Sequence, residues 1–348
     1  MKQRMSIFSL VLAFVMCLGV AMPAWADGKE ETKIVEVNGY SFEIQERTND
    51  NFSVERTYTK PSQMVLVNET NNINDNKLEE AKALLIALGM DEKNVNLWED
   101  ESLLIVANGK DVTVTEAYYA VNDQVDTVTP VSAEVAISES ATQAMLQSVS
   151  DISPYASNPY EDSYIRVYQA AVYQGSAKYL FSTDSLWLKM PRTRSYDSLG
   201  SCAQLTAVVP NSNIGSWSYD VTTVIDEVAE EDSVYSKQFK KENFASDGGW
   251  AGAAGVFLVP GDINSSDGNS VTYTNFRAHY EYQGIMNDPD NTNQNFNSKG
   301  TYAHSTKKLS VVPSIGISSD LSGSIGISIS SSTSVETYTA VILKNYTG

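Results

Sequence analysis

The chain has 348 residues, 42% of them hydrophobic and 19% charged, with a formal net charge of −19 and a pI near 4.5. That length can bury a sizeable core and hold two domains. The acidity excludes nucleic acid as a partner, because phosphate backbones need Lys and Arg clusters that this sequence lacks, and it disfavours anionic membranes.

Residues Met1 to Ala26 read as a secretory signal: a basic start at Lys2 and Arg4, an apolar core from Ile7 to Val20, and the small-x-small site Ala24-Trp25-Ala26. The apolar run is shorter than the roughly 20 residues a membrane span needs, so cleavage after Ala26 and a secreted, extracellular product are expected. Removing Lys2 and Arg4 moves the formal charge from −19 to −21. Of the two cysteines, Cys17 leaves with the signal and Cys202 remains alone, so packing has to supply the stability.

A small α+β module is expected over 27–121. Ile34 to Val37 and Tyr40 to Ile44 flank Asn38-Gly39, the type I′ pair of a hairpin. Strands follow at Phe52 to Tyr58 and Met64 to Val67. Leu78, Ala81, Leu85 and Leu88 make a helical stripe over Asn76 to Leu88, stopped by Gly89. A second helix runs from Asp100 to Gly109, and Val112 to Val121 returns to strand. This order of parts, helix, Leu88-Gly89-Met90, acidic helix and Val/Thr/Tyr strand, resembles modules of secreted bacterial proteins over Lys77 to Tyr119. The resemblance implies no activity.

Residues 122–162 read as a loose linker with one helical stretch, Ala133 to Val149, closed by Ser153-Pro154 and Asn158-Pro159. From 163 to 348 about nine strand signals recur between turn clusters, with one acidic helix allowed at Asp226 to Asn243. The fold class is therefore mainly β: the small α+β module, then an antiparallel β-sandwich or barrel-like domain. In Val271 to Met286 the apolar residues switch from odd to even positions, which places a β-bulge near Thr274-Asn275 and leaves Arg277, His279, Glu281 and Gln283 on the other face.

The most regular stretch is Leu309 to Ser330. Leu309, Val311, Ile315, Ile317, Leu321, Ile325, Ile327 and Ile329 occupy odd positions; the even ones are Ser, Gly or Asp apart from Val312. Such alternation describes a two-faced hairpin turning at Asp320 to Gly323. In a soluble protein its aliphatic face belongs in the core and its serines outside, so Ile315, Ile317, Ile325, Ile327 and Ile329 are expected to be buried.

Chemistry-bearing constellations are sparse. His279 and Glu281 share a strand face and His304 lies on another strand, but zinc needs three or four ligands, and a solvent-facing polar row is the plainer account. Cys202 sits in Gly200-Ser201-Cys202-Ala203, which matches no nucleophile signature and reads as a buried hydrophobe. No G-x-S-x-G occurs. The Asp/Asn-rich loops Asp262 to Asn269 and Asn287 to Asn297 depart from the calcium-loop pattern and read as turns. Trp187, Trp217 and Trp250 suit either a sugar platform or a core. No catalytic, cofactor-binding or metal residue and no cofactor is therefore assigned.

The expected function is that of a secreted non-enzymatic binding or structural protein, acting on an extracellular or cell-surface ligand through its β domain. One alternative is a pore-forming or membrane-active protein using the hairpin 309–330, the only reading in which a membrane is a partner. The other is a secreted hydrolase with carboxylate chemistry.

Overall fold

The computed structural model describes residues 30–61, 73–122, 127–149, 162–225, 228–237, 239–247, 250–265, 268–312, 315–319, 325–329 and 335–346. The signal segment, the strand expected at 64–67 and the turn 320–323 lie outside them.

The first strands behave as their residues dictate. β1 (Glu30–Val37) and β2 (Tyr40–Thr48) meet across Asn38 and Gly39, both at positive φ, as a type I′ turn requires. β3 (Val54–Thr59) adds to β2, and α1 (Ile73–Ala87) crosses the sheet with Ala81, Leu84, Leu85 and Leu88 inward. Gly89 follows at φ +94°, where a β-carbon would lie 2.3 Å from Arg56 Nη1, so only glycine fits. Asp91 then caps a short helix missed by the periodicity, α2 (Glu92–Val95), by accepting the Lys93 and Asn94 amides. α3 (Asp100–Asn108) ends at Gly109, and β4 (Asp111–Asn122) follows.

The stretch after β4 contains β5 (Thr127–Val131), paired with β4, and α4 (Ala133–Val149). β6 (Ser163–Gly175) pairs with β4 from Asp111↔Tyr173 to Val121↔Ser163, so one sheet runs unbroken from the N-terminal module into the β region. The remaining strands are β7 (Lys178–Lys189), β8 (Tyr196–Gln204), β9 (Thr206–Val208), β10 (Ile214–Ile225), β11 (Val228–Ser236), β12 (Lys241–Asp247), β13 (Trp250–Leu258), β14 (Ile263–Asn264), β15 (Ser270–Met286), β16 (Gln294–Ser305), β17 (Ile315–Ser319), β18 (Ile325–Ile329) and β19 (Val335–Tyr346).

All strand pairs among the described residues are antiparallel. The larger sheet has the order β1-β2-β3-β4-β6-β7-β15-β10-β11; the smaller is β12-β13-β8-β16-β19; β17 and β18 pair only with each other. The two larger sheets face one another over an aromatic core that includes Phe181, Trp187, Phe257, Phe276, Tyr282, Tyr302 and Tyr338. Helices α1 to α3 cover the other face of the larger sheet through a second core. The molecule is mainly β, with a sandwich and a helical layer on one side.

Three expectations need correction. The described residues of the acidic stretch 226–243 are not helical: β11 pairs with β10 from Trp217↔Ser236 to Ile225↔Val228, and β12 starts at Lys241. Pairing with a long neighbour overrides helix propensity, and the exposed Glu230, Glu231 and Asp232 leave a charged sheet edge. Residues Leu309 to Val312 are not strand; Leu309 instead packs beside Ala254, Val256 and Ala303. The row Arg277, His279, Glu281 does not face solvent, because helices α2 and α3 lie over it, leaving exposures of 5%, 0% and 0%. The bulge sits where the register break puts it: Asn275 and Phe276 oppose Tyr219 alone, and Asn275 takes φ +50°.

Candidate functional site

Both histidines are sealed inside. His279 Nδ1 lies 3.0 Å from Asp184 Oδ1 on β7, and its Nε2 lies 3.2 Å from Glu281 Oε2, an ion-pair contact off the hydrogen-bond direction. The Trp98 indole donates to Asp184 at 3.3 Å, Ser182 donates to the other Asp184 oxygen at 2.8 Å, and Ser102 donates to Glu281. Burial disfavours the charged imidazole, but the Asp184 and Glu281 carboxylates outweigh it and hold the ring at about 10. Ser102 bonds to the carboxylate and not to the imidazole, so no nucleophile–base pair forms. The cluster fastens α2 and α3 to the sheet.

His304 belongs to a second centre between the sheets. Its Nδ1 lies 2.9 Å from Asp197 Oδ2; Tyr302 donates to that oxygen at 2.6 Å, and Trp187 donates to the Tyr302 hydroxyl at 2.8 Å. The Ser305 amide donates to Asp197 Oδ1 at 3.0 Å. Glu336 stands opposite His304 in the β16–β19 register. Asp184 and Asp197, missed in the sequence, carried one signal there: an aspartate inside an otherwise apolar or small-residue strand, where Asp is depleted.

The other singled-out residues are separated. Cys202 is 3% exposed and its thiol donates to the Lys299 carbonyl; burial pushes it up to about 12. Asp262 is occupied by Arg194 and the Tyr273 amide. Trp187 is core, Trp217 is half-buried and stacked on Tyr219 with centroids 5.5 Å apart and planes at 9°, and the Trp250 side chain lies outside the described residues. Among the described residues no group of three His, Cys, Asp or Glu is placed to hold a metal ion. A groove of about 120 Å³ is lined by Glu30, Glu46, Arg47 and Glu55 among others, but small-molecule pockets run to about 300–1,000 Å³. Glu46 stands opposite Arg56 and Glu55 opposite Arg47, which puts the two glutamates on opposite sheet faces.

The remaining candidate is the segment between β16 and β19. These strands pair from Gln294↔Tyr346 to Ser305↔Val335, so even residues share one face and odd residues the other. The even face looks inward with Phe296, Tyr302, Tyr338 and Ile342; the odd face carries Thr301, Ala303 and Val335 outward. Continued through the loop, this register would set Ile315 opposite Ile325. The observed hairpin sets Ile315 opposite Ile329, an offset of four residues, and four is even. The even offset means that the paired residues 315–319 and 325–329 would share faces in the same sets in the extended form. The aliphatic odd positions would prolong the outward face of β16–β19, and the Ser/Gly even positions the inward one.

In the structure β17 and β18 lie back over the smaller sheet, with Cα atoms within 8 Å of those in β8, β12, β13, β16 and β19. Sheets ordinarily pack about 10 Å apart, and the closer approach has its reason in the small residues of that outer face: Ser198, Gly200, Cys202, Gly252, Ala254 and Ala303. The side chains of Ile315, Ile317, Ile325, Ile327 and Ile329 lie outside the described residues.

No protein-family model and no curated protein matches the chain.

Proposed function

We propose that this is a secreted, non-enzymatic β protein that acts on lipid bilayers by extending residues 306–334 as an amphipathic hairpin continuous with β16 and β19. The observation that carries the reading is the shared parity of ladder and loop. Membrane-spanning strands need about 9–11 residues alternating apolar and polar, and the stretches 309–317 and 321–329 each supply nine, with Lys307, Ser319, Ser331 and Thr333 bounding their aliphatic face. A single extended hairpin leaves unpaired edges that hydrocarbon does not tolerate, so several copies have to close a barrel. No described helix is long and apolar enough to cross a membrane, which bears on helices alone. The net negative charge favours neutral over anionic lipid surfaces. The two sealed histidine centres act as structural ties, which fits a protein without turnover.

The test is release of a trapped dye from neutral and from anionic vesicles at micromolar protein, using the chain from residue 27, with and without limited proteolysis. Leakage that is stronger from neutral vesicles is the expected result. Intact vesicles under every condition would sink the proposal and leave the second reading, a binding protein for an extracellular ligand. That reading draws support from the half-exposed stack of Trp217 and Tyr219, with Tyr273 edge-on at 5.2 Å, a surface suited to a sugar ring. A glycan-binding screen that quenches tryptophan fluorescence separates the two.

A further inference from the structure

We infer that Thr193 and Ser195 form a latch that holds the first arm of the hairpin folded back, and that its opening is what frees residues 306–319 to continue β16. The inference rests on the membrane reading above and names the control of that segment.

The geometry of the turn-back is local. β16 pairs with β8 from Ser298↔Ala203 to Ala303↔Ser198, a register that, continued, would bring Leu309 level with Arg192. Instead the Leu309 amide donates to the Ser195 hydroxyl at 2.7 Å, and the Thr193 hydroxyl donates to the Thr306 carbonyl at 3.3 Å. Both bonds have to break for the arm to straighten. The segment that supplies them is itself fixed: Val259 N donates to the Ser195 carbonyl at 2.7 Å, and Arg194 bonds to Asp262 and to the Pro191 carbonyl. Asp197 is the pivot beside it, since its bonds to Tyr302, His304 and the Ser305 amide all lie within β16 and survive straightening.

What lies under the hairpin makes a latch matter. Among the described residues, the buried cluster on the face it covers is Ala254, Val256 and Ala303, with Tyr196, Leu309 and Val335 at its margin. The Ser198 and Thr301 hydroxyls on that face are buried without a hydrogen-bond partner. Small residues on the covered face bury little area of their own and its unpaired buried hydroxyls cost free energy, which puts weight on the two bonds at the root of the hairpin.

Cys202 reports the state of the hairpin. It sits on the covered face of β8, within reach of β18, and is the only cysteine after residue 26. Its labelling by an aromatic disulfide reagent is to be timed in the chain from residue 27, in Ser195→Ala and in Thr193→Val, with circular dichroism as the check on folding. Each variant is expected to label about fivefold faster, the factor that one hydrogen bond of ordinary strength implies. Folded variants that label at the parent rate would overturn the latch. Should Ser195→Ala fail to fold, Thr193→Val carries the same comparison. Vesicle leakage is read in parallel. Faster labelling with intact vesicles keeps the latch and removes the membrane reading; leakage with unchanged labelling does the reverse.

Discussion

His279 shows how much a single side chain can tie together when it is buried between two carboxylates. Its ring contacts Asp184 from β7 and Glu281 from its own strand, and meets Trp98, just ahead of α3, with centroids 4.9 Å apart and planes tilted by 36°. An unfolded histidine titrates near 6.5, whereas the folded ring is held at about 10. A raised folded value means that the charged ring stabilises the protein fully below about pH 6.5, and that this contribution fades as pH rises toward 10. Urea melts of the protein and of His279→Gln at pH 6, 8 and 10 are therefore expected to differ most at pH 6 and least at pH 10. A gap that widens with pH would mean that the ring is buried neutral. Glu116, 4% exposed, is shared by Arg56 and Arg166, where a lone buried carboxylate would be far too costly.

At the scale of elements, the segment between β16 and β19 is separable from the fold that carries it. Those two strands pair along their whole described length without help from β17 or β18, and the hairpin pairs only with itself. Replacing 306–334 by a short turn is expected to leave the sheets folded, with circular dichroism close to that of the parent. The melting midpoint should fall modestly, Cys202 should label freely, and dye release should vanish. Loss of cooperative melting would show instead that the hairpin is an integral third layer. The bulge at Asn275 is an element-scale device of another kind. Its extra residue lets Phe276 join the inter-sheet core while Arg277, His279 and Glu281 turn toward the helices.

For the whole molecule, the main consequence lies in the unbroken sheet. The residues after 162 read by themselves as a domain, yet β6 is flanked by β4 on one side and β7 on the other, and Tyr168, Val172 and Leu180 belong to the core beneath the helices. A chain of 163–348 would expose that apolar face together with the His279 cluster and an unpaired β6 edge. It is expected to aggregate or to show no cooperative thermal transition, whereas the chain from residue 27 melts as one unit. A soluble, cooperatively melting 163–348 fragment would refute this and restore two independent folding units.

Much of the architecture was legible because it is local. Asn38-Gly39 encodes its turn through positive φ, the stripe from Leu78 to Leu88 its helix, Ala133 to Val149 a helix of the same bounds, and the parity switch in 271–286 its bulge. The alternation in 315–329 is matched by the backbone register, which pairs Ile315 with Ile329 and Ile317 with Ile327. What alternation cannot supply is the identity of the neighbour on each face. A row of Arg, His and Glu looks solvated until helices 180 residues earlier in the chain are laid over it, as the bond from Ser102 to Glu281 across 179 positions records. The acidic stretch before β12 became a strand because β10 offered it a ladder, and Asp184 and Asp197 acquired their roles from histidines about 100 positions away. Long-range pairing brings those groups together, and a linear sequence does not display it.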